Sequence, residues 1–115
     1  MWKLLEELAK IDAKTYEKIS FACMDAFEGH TPESMLDDSP NDEVEIVCDL
    51  IQGACQRVIA ARGWSLKQSQ DCSGKLFIAT IGEIQGDDIS CEWKEESDSP
   101  AKAILTAYLK SRKDA

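Results

Sequence analysis

The chain has few of the residues that common chemistries require. It has no Cys-x-x-Cys pair, and its only histidine is His30, so a zinc site lacks its usual ligands. It contains no Gly-rich phosphate loop, no Gly-x-Ser-x-Gly elbow and no His-x-x-x-His pair, which removes the familiar nucleotide-binding, hydrolase and metalloprotease signatures. No motif implies a cofactor, and no enzyme is expected. No apolar run approaches the length of a membrane span. The first residues, MWKLLEELAK, hold no apolar core long enough for export, and five cysteines leave one unpaired under any disulfide scheme. A reduced, cytoplasmic, metal-free protein is the expectation. Bases are also scarce. Thirteen Lys and Arg face 22 Asp and Glu, a net charge of −9 that argues against direct binding to nucleic acid or an anionic membrane.

With 115 residues, 43% of them apolar, the chain has room for one domain around one core. The strongest pattern is VEIVCDLIQGACQRVIAARGW, Val44 to Trp64. Val44, Val47, Cys48, Ile51, Cys55, Val58 and Ile59 recur at three- and four-residue steps, while Glu45, Asp49, Gln52 and Gln56 fall opposite. That is a long helix stopped by Gly63. Residues 2 to 28 read as helical too, with Leu4, Leu8, Ile11, Ile19, Cys23 and Phe27 near one face and a break after Ile11, where Asp12 can cap a second helix. The prolines stand in Thr31-Pro32, Ser39-Pro40 and Ser99-Pro100, a hydroxyl cap followed by the residue suited to a first helical turn. They are therefore read as the starts of a short helix, of the central helix and of a closing helix reaching about Arg112. Ser-Pro as a kinase target is the weaker alternative.

Three strands are expected between the last two helices: Trp64 to Gln70, Lys75 to Gly82 and Asp88 to Glu95. Turn formers separate them at 71–74 and 83–87. In the third strand Ile89, Cys91 and Trp93 alternate with Ser90, Glu92 and Lys94, a half-buried pattern. The middle strand, KLFIATIG, is apolar on both faces, as if helices covered both. The fold class is thus α+β. A single domain is expected over 1–115, with a helical N-terminal extension (1–42) and then a helix, a three-stranded antiparallel sheet and a helix (43–115).

The pair KLFIATIG and ISCEWKEES, followed by DSPAKAILTAYL, resembles the phage ABA sandwich domain, in which a Thr/Ser-Pro start introduces an Ala-rich helix after the last strand. The resemblance covers roughly half the chain and implies a phage or prophage origin without any catalytic motif. The element order also resembles the double-stranded RNA-binding domain, including the step Gly63-Trp64. That family places a lysine cluster at the start of its last helix to meet phosphates. Pro100-Ala101-Lys102-Ala103, preceded by Glu95, Glu96 and Asp98, does not supply one, so the topology is expected without the RNA binding.

Charge is segregated along the chain. Glu33 to Asp49 holds seven acids and no base, and Glu83 to Asp98 holds seven acids and only Lys94. Asp37-Asp38 with Asp42-Glu43 lacks the spacing and central glycine of a calcium loop. His30, in Gly-His-Thr-Pro, reads as a solvated loop residue beside no apolar wall. The reading that uses the acids is a nucleic-acid mimic: a small protein that inhibits a basic host protein or nucleoprotein complex, anti-CRISPR-like in its most concrete form. Its partner surface is expected at Asp37, Asp38, Asp42 and Glu43, and at Asp87, Asp88, Glu92, Glu95 and Glu96. Set against it are a solvated surface with no partner, a small-ligand or nucleotide-sequestering protein, and a non-enzymatic helical subunit, with a homodimer among the assemblies left open.

Overall fold

The computed structural model describes residues 2–38, 41–86 and 88–114; of these, the side chains at 2, 37, 38, 41, 42, 85, 90 and 114 are outside the description. The elements are α1 (Trp2–Ile11), α2 (Ala13–Ala26), α3 (Pro32–Asp38), α4 (Asn41–Ala61), β1 (Ser65–Gln70), β2 (Phe77–Gln85), β3 (Asp88–Ser97) and α5 (Pro100–Asp114). Local chemistry sets most of these boundaries. Asp12 breaks the first helical segment and caps α2 by accepting the Thr15 N–H. Thr31 Oγ1 accepts the Ser34 N–H to start α3, and Ser99 Oγ accepts the Lys102 N–H to start α5. The expected Ser39-Pro40 start of the central helix lies outside the described residues; α4 is helical from Asn41. Gly63 ends α4 at φ +73, with its own N–H on the Ala60 carbonyl and the Trp64 N–H on that of Ile59. These two bonds satisfy carbonyls the helix would otherwise leave free, in a backbone conformation that suits glycine.

The fold is α+β. The strands form an antiparallel sheet in the order β1-β2-β3, with Leu66 opposite Ile81 and Ile81 opposite Trp93. Helix α5 packs on β2 and β3, and α4 on β1. The face they cover carries Leu66, Ala79, Ile81 and Trp93; the alternate residues Lys67, Thr80, Lys94 and Glu96 point the other way. This corrects the expectation of a middle strand covered on both faces. α1 and α2, which could have formed a second layer, pack on α4 and α5 instead. Ile78 therefore stays half-buried and Ile84 is exposed.

Two strand boundaries also differ. The carboxylate of Asp71 accepts the Leu76 N–H, and Ser73 Oγ accepts the Lys75 N–H, so the turn holds the first two residues assigned to the middle strand. At the other end β2 runs on to Gln85, which pairs with Asp88 across a two-residue connection beginning at Gly86. Glu83 pairs with Cys91 and Ile84 with Ile89, leaving Ser90 as an extra residue in β3. This bulge moves Ile89 to the uncovered face. The expected stripe Ile89-Cys91-Trp93 is thus broken: Trp93 is buried, while Cys91 and Ile89 are exposed.

Val47, Ile51, Ile81, Trp93, Ile104 and Tyr108 lie in one buried cluster, with Val58 and Phe77 half-buried at its margin. Leu5, Leu8, Ile19 and Cys23 belong to the same cluster, so the N-terminal helices contribute to the core directly; Leu4, Ile11 and Phe27 sit at its edge. A polar link joins the two ends of the chain inside this packing. Asp12 accepts hydrogen bonds from Thr15 Oγ1 at 2.6 Å and Tyr108 Oη at 2.5 Å, and Arg112 lies 3.4 Å away. Burial alone would raise the Asp12 pKa. The hydrogen bonds from Thr15 and Tyr108 and the Arg112 charge outweigh burial and hold it below the ordinary aspartate value.

Candidate functional site

On α4, Glu45, Asp49 and Gln52 stand one and two turns apart and so form one edge of a surface. The start of α5 and the start of β2 come up beside that edge. Together they enclose a groove of about 410 Å³, with Val44, Cys48, Phe77 and Pro100 as its apolar wall and Glu45, Asp49 and Asp98 as its acids. A second hollow of about 310 Å³ adjoins it, sharing Gln52, Phe77 and Pro100 and extending over Gln68 and Ala103. Gln52 and Gln56 are tied to β1 through Gln68, whose amide nitrogen donates to Gln52 at 3.2 Å and whose oxygen accepts from Gln56 at 2.8 Å. The wall between helix and sheet is therefore held in place.

The electrostatics of this groove favour binding over covalent chemistry. Asp98 has one cationic neighbour, Lys102 at 3.8 Å, and remains 79% exposed, which leaves its charge largely available. Glu45 and Asp49 are exposed and form no ion pair among the described residues. Burial, and next the charge of Asp49, push the Cys48 thiol upward, away from the thiolate a nucleophile requires. No group of three or more His, Cys, Asp or Glu side chains comes together as a metal site among the described residues.

Among the described residues, the acids singled out from sequence do not share one face. Asp87 lies outside the described residues, as do the side chains of Asp37, Asp38 and Asp42. Glu43 is half-buried and lines a different groove with Phe27, His30, Ser34 and Met35. Asp88 is exposed at the start of β3, and Glu92 and Glu96 are exposed on the uncovered sheet face. Glu95 is the clearest correction. It projects toward α5, is half-buried and accepts from Lys110 Nζ at 2.7 Å. The two-residue period of a strand separates it from its neighbours, a signal already present in the alternation of the sequence. His30 is an exposed loop residue, as expected, but an apolar wall does stand beside it, since Phe27 and Met35 line the same groove. No side-chain hydrogen bond joins His30 to Ser34 or Glu43 among the described residues.

The groove acids Glu45 and Asp49 read in sequence only as the solvated side of a helix. Their regular spacing was visible; the facing Phe77 and Pro100, far along the chain, were not.

All five cysteines are free, and they differ in accessibility, with Cys48 half-buried between the extremes. Burial, reinforced by the Asp12 charge, pushes the Cys55 thiol up to about 12, and Cys23 is buried too. Cys72 and Cys91 are exposed. A maleimide pulse on native protein should label Cys72 and Cys91 within minutes and leave Cys55 unmodified until the chain unfolds. Early modification of Cys55, read by peptide mass, would contradict the packing around α4.

No helix among the described residues is long and apolar enough to cross a membrane. No family model, curated protein or solved structure matches this chain.

Proposed function

We propose that this chain is a non-enzymatic interaction protein that takes a basic, partly aliphatic segment of a partner protein into the groove between α4 and the starts of β2 and α5. The observation that carries the reading is the combination there of an apolar wall, Val44, Phe77 and Pro100, with the exposed acids Glu45, Asp49 and Asp98. Lysine and arginine suit such a site, since the stem lies on apolar surface while the cation meets carboxylates. In its more specific form the partner is a nucleic-acid-binding host protein, and the chain acts in the cytoplasm as a phage-type, anti-CRISPR-like inhibitor. Small size, acidity and the resemblance of residues 75–109 to the phage ABA sandwich domain support that form.

Any protein of charge −9 attracts cations, so the test must separate place from total charge. The probe is a peptide of alternating arginine and leucine, titrated calorimetrically against three proteins. These are the unmodified chain, Glu45→Lys/Asp49→Lys, and the charge-matched control Glu6→Lys/Glu17→Lys, in which both changed residues are exposed on the N-terminal helices. Reversing the groove charges should weaken binding about tenfold beyond the control. Equal weakening by both double variants would show that the acidity acts as bulk charge, and the groove reading would fall.

A further inference from the structure

From the uncovered face of the sheet we infer that this chain self-associates, sheet against sheet, about a two-fold axis running across the strands between the levels of Thr80 and Gly82. Within a chain of net charge −9 this face is locally balanced: Lys67 and Lys94 stand beside Glu92 and Glu96. Among the described residues none of the four has an ion-pair or hydrogen-bond partner, whereas Lys102, Lys110, Arg112 and Lys113 are all paired. The same face exposes apolar surface. Ile84 and Ile89 are 43% and 51% exposed, the bulge having brought Ile89 beside Ile84, and Ile78 lies three levels away on β2.

The order of residues makes the centre of the face complementary to itself. Along β2 the levels run Ile78, Thr80, Gly82, Ile84; along β3, Lys94 lies at the Thr80 level and Glu92 at the Gly82 level. The proposed axis exchanges the two middle levels. Glu92 of one copy then faces Lys94 of the other, twice, and Ile84 faces Ile78, while Lys67 meets Ser65 and, at the outer levels, Glu96 meets Ile89. Thr80 and Gly82 sit at the centre; Gly82 is already buried under the Ser65 and Ile89 side chains, so these and Thr80 set how closely the sheets approach. Gly82 is also needed within one copy, since a Cβ there would meet Ile89 Cγ2 at 3.0 Å. The acids of the α4 groove lie on the other side of the sheet, so this inference does not depend on the proposed function.

Three strands span about 14 Å across, and seven residues about 24 Å along. An interface of that size lies below the standard class, so a weak, concentration-dependent dimer is expected. Sedimentation velocity from 1 to 300 µM tests this on the full chain. Glu92→Lys alone and Lys94→Glu alone each set like charges against each other and should weaken the dimer about tenfold or more, with circular dichroism unchanged. The exchange Glu92→Lys/Lys94→Glu should restore it. Mixing the two single variants should also restore it, because both cross-pairs of the mixed dimer are then attractive. A chain that stays monomeric up to 300 µM overturns the inference, and so does a dimer that is as strong in both single variants as in the unmodified chain.

Discussion

Replacing Asp12 by alanine should destabilise the protein by about 3 kcal/mol, lowering the melting temperature by roughly 10 °C. The loss has two parts. Removing the cap of α2 costs about 1 kcal/mol, because the Thr15 N–H loses its acceptor. Leaving the hydroxyl of Tyr108, a fully buried residue, without its acceptor costs about 2 kcal/mol more. Asp12→Asn keeps a capping oxygen and should cost less than half as much. The contribution of Asp12 also has a pH signature. Its native pKa lies below the ordinary aspartate value, so its stabilisation is fully present above that value and is lost as pH falls through the native pKa. Urea unfolding should therefore show a constant gap between the native chain and Asp12→Asn from neutral pH down to the ordinary aspartate range. The gap should close only in stronger acid. A gap that persists unchanged into stronger acid, or an alanine variant within 0.5 kcal/mol of the native chain (on the order of ordinary surface substitutions), would remove Asp12 from its role as the link between the chain's two ends.

That link shows where sequence reading stops. Asp12 was legible as a cap because caps are local: the residue type and the break in helical period sit together. Its bond to Tyr108 joins residues 96 positions apart and leaves no periodic trace. The same distinction runs through the fold. Val47, Ile51 and Cys55 declared the buried side of α4 by their spacing, and Gly63 declared its end. Leu5 is fully buried, yet its neighbour Leu4 fits the expected stripe equally well, and only the position of α5 decides between them. The Ser90 bulge escaped notice because Ile89, Cys91 and Trp93 alternate perfectly in sequence; an inserted residue changes the pairing, not the pattern. The acids were legible as charge but not as a surface. Whether Glu95 stands free or pairs with Lys110 depends on which side of the sheet the closing helix returns to.

The largest single loss is expected at Trp93. Its indole is 7% exposed and stacks on Trp64 with ring centroids 5.3 Å apart and planes at 24°. Trp64 enters β1 directly after the Gly63 turn, and Trp93 lies on β3, so the stack bridges the outer strands across β2 on the side the helices cover. The Arg62 guanidinium lies 4.2 Å from the Trp64 ring and closes the outer side of the stack. Trp93→Ala should therefore cost about 4 kcal/mol, the range for deleting a large buried aromatic, of which about 1 kcal/mol belongs to the stacking itself. Trp64 is only half-buried, and Trp64→Ala should cost about 2 kcal/mol. Because the two rings touch, the double variant should lose less than the sum of the singles, by about 1 kcal/mol. Urea titrations of the four proteins, followed by far-ultraviolet circular dichroism, measure all three quantities. Strict additivity would mean that the rings do not support each other. A loss below about 2 kcal/mol at Trp93 would mean that α5 alone holds β3 against the core.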